Sequence, residues 1–332
     1  MPKNNRPAKG VGSSSAHHGE ILQGVFRDNK DRLTRALVTL QCSDWKSHAT
    51  FYPSSRRADI ICTPGMWKAR RAAVVSMTEF STNGSPVTGG YLDIRSDIPC
   101  GIGMGSSTAD VTAAIRAIAV FHGVAPTPEE IGRIAVEVEC ASDPIMIDDR
   151  VVLFAHREGT VLETLGRHLP PMIVVGCDAE PGTGTIDTLA LPPAAYSATD
   201  IDAFGFLRAE LRAAVVNGDT ARLGQVATSS ALINQQFLPK SALDFLLDLC
   251  ERVGGCGIQV AHSGTVAGVI FDSRRDDLRQ NIDRCVSGID KAGLSLTGII
   301  ACSQDDRRGR WILSLNESGS PGLVTVCPGA SF

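Results

Sequence analysis

The 332-residue sequence contains no C-x-x-C pair: its ten cysteines stand singly at positions 42, 62, 100, 140, 177, 250, 256, 285, 302 and 327. That scatter argues against a metal ribbon or a disulfide framework. Stretches such as "GIIACS" and "VTVCPG" read instead as buried reduced thiols in a reducing compartment. Basic residues are not in excess, with 32 Lys and Arg against 36 Asp and Glu for a formal net charge of −4. Nor do they gather into one block, so nucleic acid is not an expected partner. No apolar run reaches the length of a membrane span, and the first fifteen residues carry Lys3, Arg6 and Lys9 without the apolar centre of a signal peptide. No membrane partner is expected, and the protein reads as cytoplasmic. Gly-Lys-Ser/Thr is also missing throughout, which excludes a P-loop of the Walker type.

What the chain does have is residues 99–110, "PCGIGMGSSTAD", with glycines at 101, 103 and 105 ahead of two serines and a threonine. Glycine lets backbone N–H groups approach a ligand, and a helix start favours negative charge, so the segment reads as a phosphate loop. From Thr108 to His122 the pattern is helical, with Val111, Ile115, Ile118 and Phe121 near one face. Ser106 or Ser107 is the expected cap, and Gly123 stands at the C-terminal end. A second helix starts at once: "TPEE" at 127–130 is a capping box, and Asp143-Pro144 should break this helix at its far end. A capped helix in this place also rules out a dinucleotide fingerprint, which needs a second parallel strand there.

Elsewhere strand-like and helical segments alternate. Strands are expected at 34–41, 47–52, 91–94, 150–159, 172–178, 257–261, 266–271, 296–303 and 310–315, and helices at 199–217, 219–235, 240–253 and 274–292. This order suits an α+β protein of two domains, 1–165 and 166–332, better than a doubly wound sheet.

Pro99-x-x-x-Gly103-x-Gly105-Ser106-Ser107-Thr108 resembles the P-x-x-x-G-L-G-S-S-A motif of the GHMP kinases. "SAHHGEILQGVF" (15–26) resembles their N-terminal G-E motif, and "GCGIQVAHSGTVAGVIFD" (255–272) their glycine-rich third motif. Within that superfamily "GEILQG", "VVLFAHREG", "TIDT", "ATSSALINQQFLPK" and "HSGTVAGVIF" look most like the L-threonine kinases of cobalamin salvage. The resemblance implies a two-domain GHMP kinase fold, its N-terminal part ribosomal protein S5 domain 2-like and its C-terminal part ferredoxin-like, with the active site in the cleft between. It also implies ATP and Mg²⁺, a small hydroxylated amino acid as acceptor, L-threonine or a close analogue, and room for a homodimer. The alternatives are a kinase of another hydroxylated metabolite (homoserine, serine or a biosynthetic intermediate) or a non-catalytic nucleotide- or metabolite-binding member. Two departures stand out: two histidines precede Gly19, and Glu139-Cys140-Ala141-Ser142-Asp143 replaces Glu-Pro-Ser/Thr-Asp.

Phosphoryl transfer needs the triphosphate held, its charge neutralised and the acceptor oxygen aligned. Pro99, Gly101, Gly103, Gly105, Ser106, Ser107 and Thr108 are the expected ATP-binding residues. For the metal, Ser107 is joined by Glu139 on the resemblance, with a solvated helix-end glutamate as its plain alternative and Glu137 as fallback. Asp143 takes the catalytic aspartate's place in the family register, with Asp148 and Asp149 as rivals. The acceptor side is expected to use Glu20, Gln23, Asp187, Thr188, Ser263, Gly264 and Thr265, with Asn234, Gln235, Gln236 and Lys240 facing the same pocket. His17 and His18 are not expected to share a metal, because neighbours in an extended chain point oppositely.

Overall fold

A computed structural model describes residues 8–81, 89–182 and 194–302 together with the backbone of 310–315 and 321–326. Asp187 and Thr188 lie outside the described residues. The architecture is α+β, built on one mixed sheet in which strands from before and after residue 165 take part.

At the centre of the sheet lies β1 (Gly10–Arg27), antiparallel to β2 (Leu33–Pro53) on one side and to β8 (Gly257–Val260) on the other. The contact with β8 is a single rung, Glu20 opposite Val260. Beyond β8 come β9 (Val266–Asp272), β7 (Met172–Asp178) and β10 (Ser295–Cys302); beyond β2 come β4 (Gly90–Ser96) and β3 (Ile60–Cys62). β5 (Val151–Ala155) branches from β2 and pairs with β6 (Thr160–Gly166). A separate hairpin joins β11 (Arg310–Leu315) to β12 (Pro321–Val326).

Helices cover the sheet. α2 (Ser106–His122) lays Ala113, Ala117 and Phe121 against the first half of β1, so closely that a Cβ on Gly12 would meet the Ala113 carbonyl at 2.3 Å. α3 (Pro128–Glu139) starts with the expected capping box, Thr127 and Glu130 each bonding the other's backbone N–H. It stops three residues before Asp143-Pro144 is reached: Cys140 turns into the left-handed region at φ 67°, which frees Ala141–Asp143 from the helix. α1 (Trp67–Glu79), α4 (Ala198–Asn217), α5 (Thr220–Asn234), α6 (Leu243–Arg252) and α7 (Leu278–Lys291) complete the layer.

Where the elements differ from expectation the cause is local. β1 has no alternating pattern because almost every residue from Ser14 to Phe26 is buried on both faces, and it bulges at Gly19. Residues 34–41 and 47–52 form one strand, in which Ser43–Trp45 bulges between the rungs Cys42–Ala16 and Lys46–Ser15. α1 lacks any side-chain cap, so nothing in its sequence announces it. Of the cysteines, Cys42, Cys177, Cys250 and Cys285 are buried as expected, whereas Cys100 and Cys140 are exposed.

Candidate active site

The glycine loop is left-handed at each of its glycines: Gly101, Gly103 and Gly105 have φ of 85°, 89° and 71°. Gly105 is itself the N-cap of α2, and no side chain caps that helix; the expected Ser106 or Ser107 cap is not formed. The first turn also carries no acidic residue, so the amide dipoles at this end are left for an anion. Protein groups press on the inner side of the loop. The N–H groups of Thr265 and Val266 both donate to the Ile102 carbonyl, at 2.9 and 3.0 Å. A Cβ on Gly264 would lie 2.2 Å from Gly103 Cα, and one on Gly105 would lie 2.2 Å from the His17 ring. The close approach that glycine permits here is therefore to Gly264 and His17 as well as to a ligand.

Ser107, released from capping, donates its hydroxyl to Glu139 Oε1, which also accepts from Lys68 Nζ at 3.3 Å. Glu139 is buried and its Oε2 has no partner among the described residues. Burial raises its pKa, against the bonds from Ser107 and Lys68. An unsatisfied buried carboxylate oxygen beside a hydroxyl, next to a phosphate loop, is a hard-oxygen set that fits Mg²⁺. The two residues singled out for the metal are thus brought together, at the start of α2 and the end of α3. Lys68 was not legible, because α1 was not.

A second buried cluster lies behind the loop. His17 Nε2 is 3.0 Å from Asp143 Oδ2, and the His17 backbone N–H bonds the Met104 carbonyl at 3.2 Å. His262 Nδ1 donates to Glu20 Oε1 at 2.9 Å, its backbone N–H donates to Glu20 Oε2 at 2.6 Å, and Asp143 Oδ1 lies 3.9 Å from the same ring nitrogen. Burial by itself would raise the Asp143 pKa, but the His17 charge and hydrogen bond, with His262, hold it well below the usual carboxylate range. Burial opposes the charge on His262 too, yet Glu20 and then Asp143 push its pKa up to about 9. For His17 the Asp143 carboxylate likewise outweighs burial, and the pKa is raised. Two imidazoles and two carboxylates are therefore packed against one another out of water, His17 on Asp143 and His262 on Glu20.

His18 points the other way, as its extended neighbour should. It accepts from Gln259 at Nδ1 (2.6 Å) and donates from Nε2 to Thr297 Oγ1 (2.8 Å), and burial lowers its pKa to about 3. It is a neutral tie between β1 and the later strands.

Beside the cluster opens a cavity of about 440 Å³ lined by Gln23, Arg35, His156, Tyr196, Asn234 and His262 among others. Arg35 donates to the Ala194 carbonyl at 2.8 Å and lies 6.0 Å from the Tyr196 ring centre. The Tyr196 hydroxyl donates to Asn234 Oδ1 at 2.6 Å, and Asn234 Nδ2 donates to the Gln23 carbonyl at 3.1 Å. His156 packs against His262 with ring centres 5.5 Å apart, and burial takes its pKa down to about 3.

Of the residues expected on the acceptor side, Gln23, Asn234, Gln235 and Gln236 line this cavity and Glu20 holds His262 beside it. Gly264 and Thr265 meet the glycine loop instead, and neither they nor Ser263 line the cavity. Lys240 is buried and donates to the Gly264 carbonyl, so it supports that loop and is not a cavity residue. Asp148 and Asp149 are exposed, the former 3.9 Å from Arg116 and the latter bonded to Arg150, and neither bonds His17 or His262. Arg35, His156, Tyr196 and His262 were missed. His262 had a signal, since it stands directly before "SGT".

Comparisons with known proteins bear on the family and the fold. Residues 68–151 match the GHMP kinases N terminal domain and residues 211–287 the GHMP kinases C terminal domain. The chain is 30% identical over 200 residues to an L-threonine kinase of Citrobacter freundii, a match covering 56% of this chain and 64% of that protein. It is 31% identical over 191 residues to an L-threonine kinase of Salmonella typhimurium, covering 56% and 61%. The matches thus span less than two thirds of these relatives' length. Among solved structures, a homoserine kinase from Cytophaga hutchinsonii superposes with a TM-score of 0.65 at 14% identity, covering 91% of this chain and 97% of that one. A mevalonate pyrophosphate decarboxylase from Streptococcus pyogenes does so with a TM-score of 0.62 at 11% identity, covering 90% and 98%. Such identities speak for the fold alone. Among the described residues no helix is long and apolar enough to cross a membrane. With both domain models matched in order and the fold shared along the chain, this protein belongs to the GHMP kinases.

Proposed function

We propose that the protein is an ATP-dependent kinase that phosphorylates the side-chain hydroxyl of a small hydroxy amino acid, L-threonine first among the candidates. The observation that carries this reading is the buried Asp143–His17 pair, set between the phosphate loop and a polar cavity. In this reading the chain divides near residue 165 and works as a cytoplasmic protein.

The loop 99–105 and the N-terminus of α2 hold the triphosphate of ATP, and Ser107 and Glu139 hold Mg²⁺, which neutralises phosphate charge when bound. Lys68 adds a positive charge on the same side. The acceptor lies in the cavity, its carboxylate on Arg35 and its hydroxyl at the His262 end, near Asp143. Asp143 is a weak base, because His17 and His262 stabilise its ionised form. Its part is to orient the hydroxyl and take the proton late, which a loose transition state permits. His17 holds Asp143 in place, and Glu20 does the same for His262.

The test is ATP consumption in the presence of L-threonine, L-serine, L-homoserine, mevalonate or galactose, with product mass showing the gain of one phosphoryl group. Turnover on a hydroxy amino acid supports the reading. Turnover on the sugar or on mevalonate, with none on any amino acid, defeats it.

A further inference from the structure

A second cavity, also of about 440 Å³, meets the Asp143 segment at Pro144, where the first meets it at Ala141. Its lining includes Thr39, Gln41, Pro144, Arg150, Arg167 and His168. Arg150 is already engaged by Glu129 and Asp149. Arg167 makes no ion pair or hydrogen bond among the described residues and is exposed at the cavity. Asp148, the carboxylate in the wall, is mostly solvated and lies 3.9 Å from Arg116. Deeper in, the Thr39 hydroxyl is buried with no partner, a donor position that a ligand oxygen would satisfy. A free guanidinium at the mouth and an orphan hydroxyl within suit a small oxyanion.

The floor of this cavity is wired to the catalytic cluster. Thr39 is the cross-strand partner of Glu20 and Gln41 that of His17. Gln41 Nε2 also donates to the carbonyls of Pro144, at 3.1 Å, and Ile147, at 2.5 Å, and so pins the segment that carries Asp143. We propose that this cavity is an effector site for a small oxyanion, a carboxylate or a phosphate, held by Arg167 and Thr39. Its occupant competes for the Gln41 amide, loosens Pro144–Ile147 and lowers kcat, leaving the acceptor pocket itself untouched.

Equilibrium dialysis of the full chain with inorganic phosphate, and separately with malonate, tests binding in the absence of ATP and acceptor; its failure is therefore distinct from failure of the kinase reading. Saturable binding is expected for one probe or both, and the preferred probe identifies the oxyanion. Arg167→Ala and a mouth-filling Ser43→Trp should each weaken it about tenfold or more. In turnover assays the bound probe should lower kcat with the KM for ATP and acceptor unchanged. Arg167→Ala should keep the basal kcat and lose this response. Absence of saturable binding to the native chain, unaltered affinity in both variants, or inhibition that is purely competitive with ATP would overturn the proposal.

Discussion

Gly105 and His17 are in direct contact: a Cβ on Gly105 would sit 2.2 Å from Cδ2 of the ring whose Nε2 bonds Asp143. The phosphate loop and the carboxylate cluster are therefore one packed unit, and a change in the loop is transmitted to Asp143 through an imidazole.

Gly105→Ala should thus cost more than its backbone conformation alone. A left-handed Ala costs roughly 1–2 kcal/mol, and overpacking against the ring adds about 1–3 kcal/mol. In a His17→Ala background only the first cost should remain. Urea denaturation of the four proteins in this cycle measures the difference; strictly additive effects would mean that the contact carries no energy.

Asp143→Asn should lower turnover by roughly 10²–10⁴-fold, the usual loss for a general base. Binding of ATP, which lies with the loop and α2, should barely change. Asp148→Asn and Asp149→Asn should retain activity, since both side chains are solvated and face Arg116 and Arg150. If either of these exposed variants is the inactive one, the assignment of Asp143 fails.

Glu139→Gln should raise the Mg²⁺ concentration for half-maximal activity by about tenfold or more, and Ser107→Ala by less, because the carboxylate is the charged ligand. A metal titration identical to that of the native protein would remove this pair from the metal site.

Arg35→Ala should raise the KM for the acceptor roughly tenfold to hundredfold, the worth of a charge-assisted hydrogen bond, with the KM for ATP unchanged. Arg35→Lys should recover part of the loss only, since an ammonium cannot reproduce a bidentate grip. An unchanged acceptor KM would place the carboxylate elsewhere.

Stability should depend on pH through His262. Its pKa is raised from 6.5 to about 9, so the folded state binds more protons between those values. The contribution is complete below pH 6.5 and is lost as pH rises through about 9, at most about 1.4 kcal/mol per pH unit. The depressed pKa of Asp143 acts in the opposite sense, giving stability that falls away only in acid. Glu20→Gln, which removes the main partner of His262, should flatten the alkaline limb; denaturation midpoints at pH 6, 7, 8 and 9 report it, and an unaltered limb would exclude His262 as its source.

Much of this protein is written in short-range signals. The Thr127–Glu130 capping box, the buried run Met172–Asp178, the glycines of the phosphate loop and the terminator Gly123 each depend on residues within a turn or two. They are legible because capping, periodicity and left-handed φ are local physics. Ser107 could be named from the glycine-serine loop itself, whereas Glu139 was named on the resemblance to the GHMP kinases, its place at a helix end fitting a solvated glutamate as well. The two-faced burial of β1 and the uncapped α1 left no such mark, and with them went Lys68 and the role of His17. Along the chain Asp143 stood ahead of Asp148 and Asp149 only on the family register, because one short loop offers three similar carboxylates. What packing adds is a contact: β1 runs between β2 and β8, and this brings His17, Asp143 and His262 together from three distant segments. Burial there makes an unpaired charge costly, so the one aspartate that meets two histidines is distinguished from two that face water.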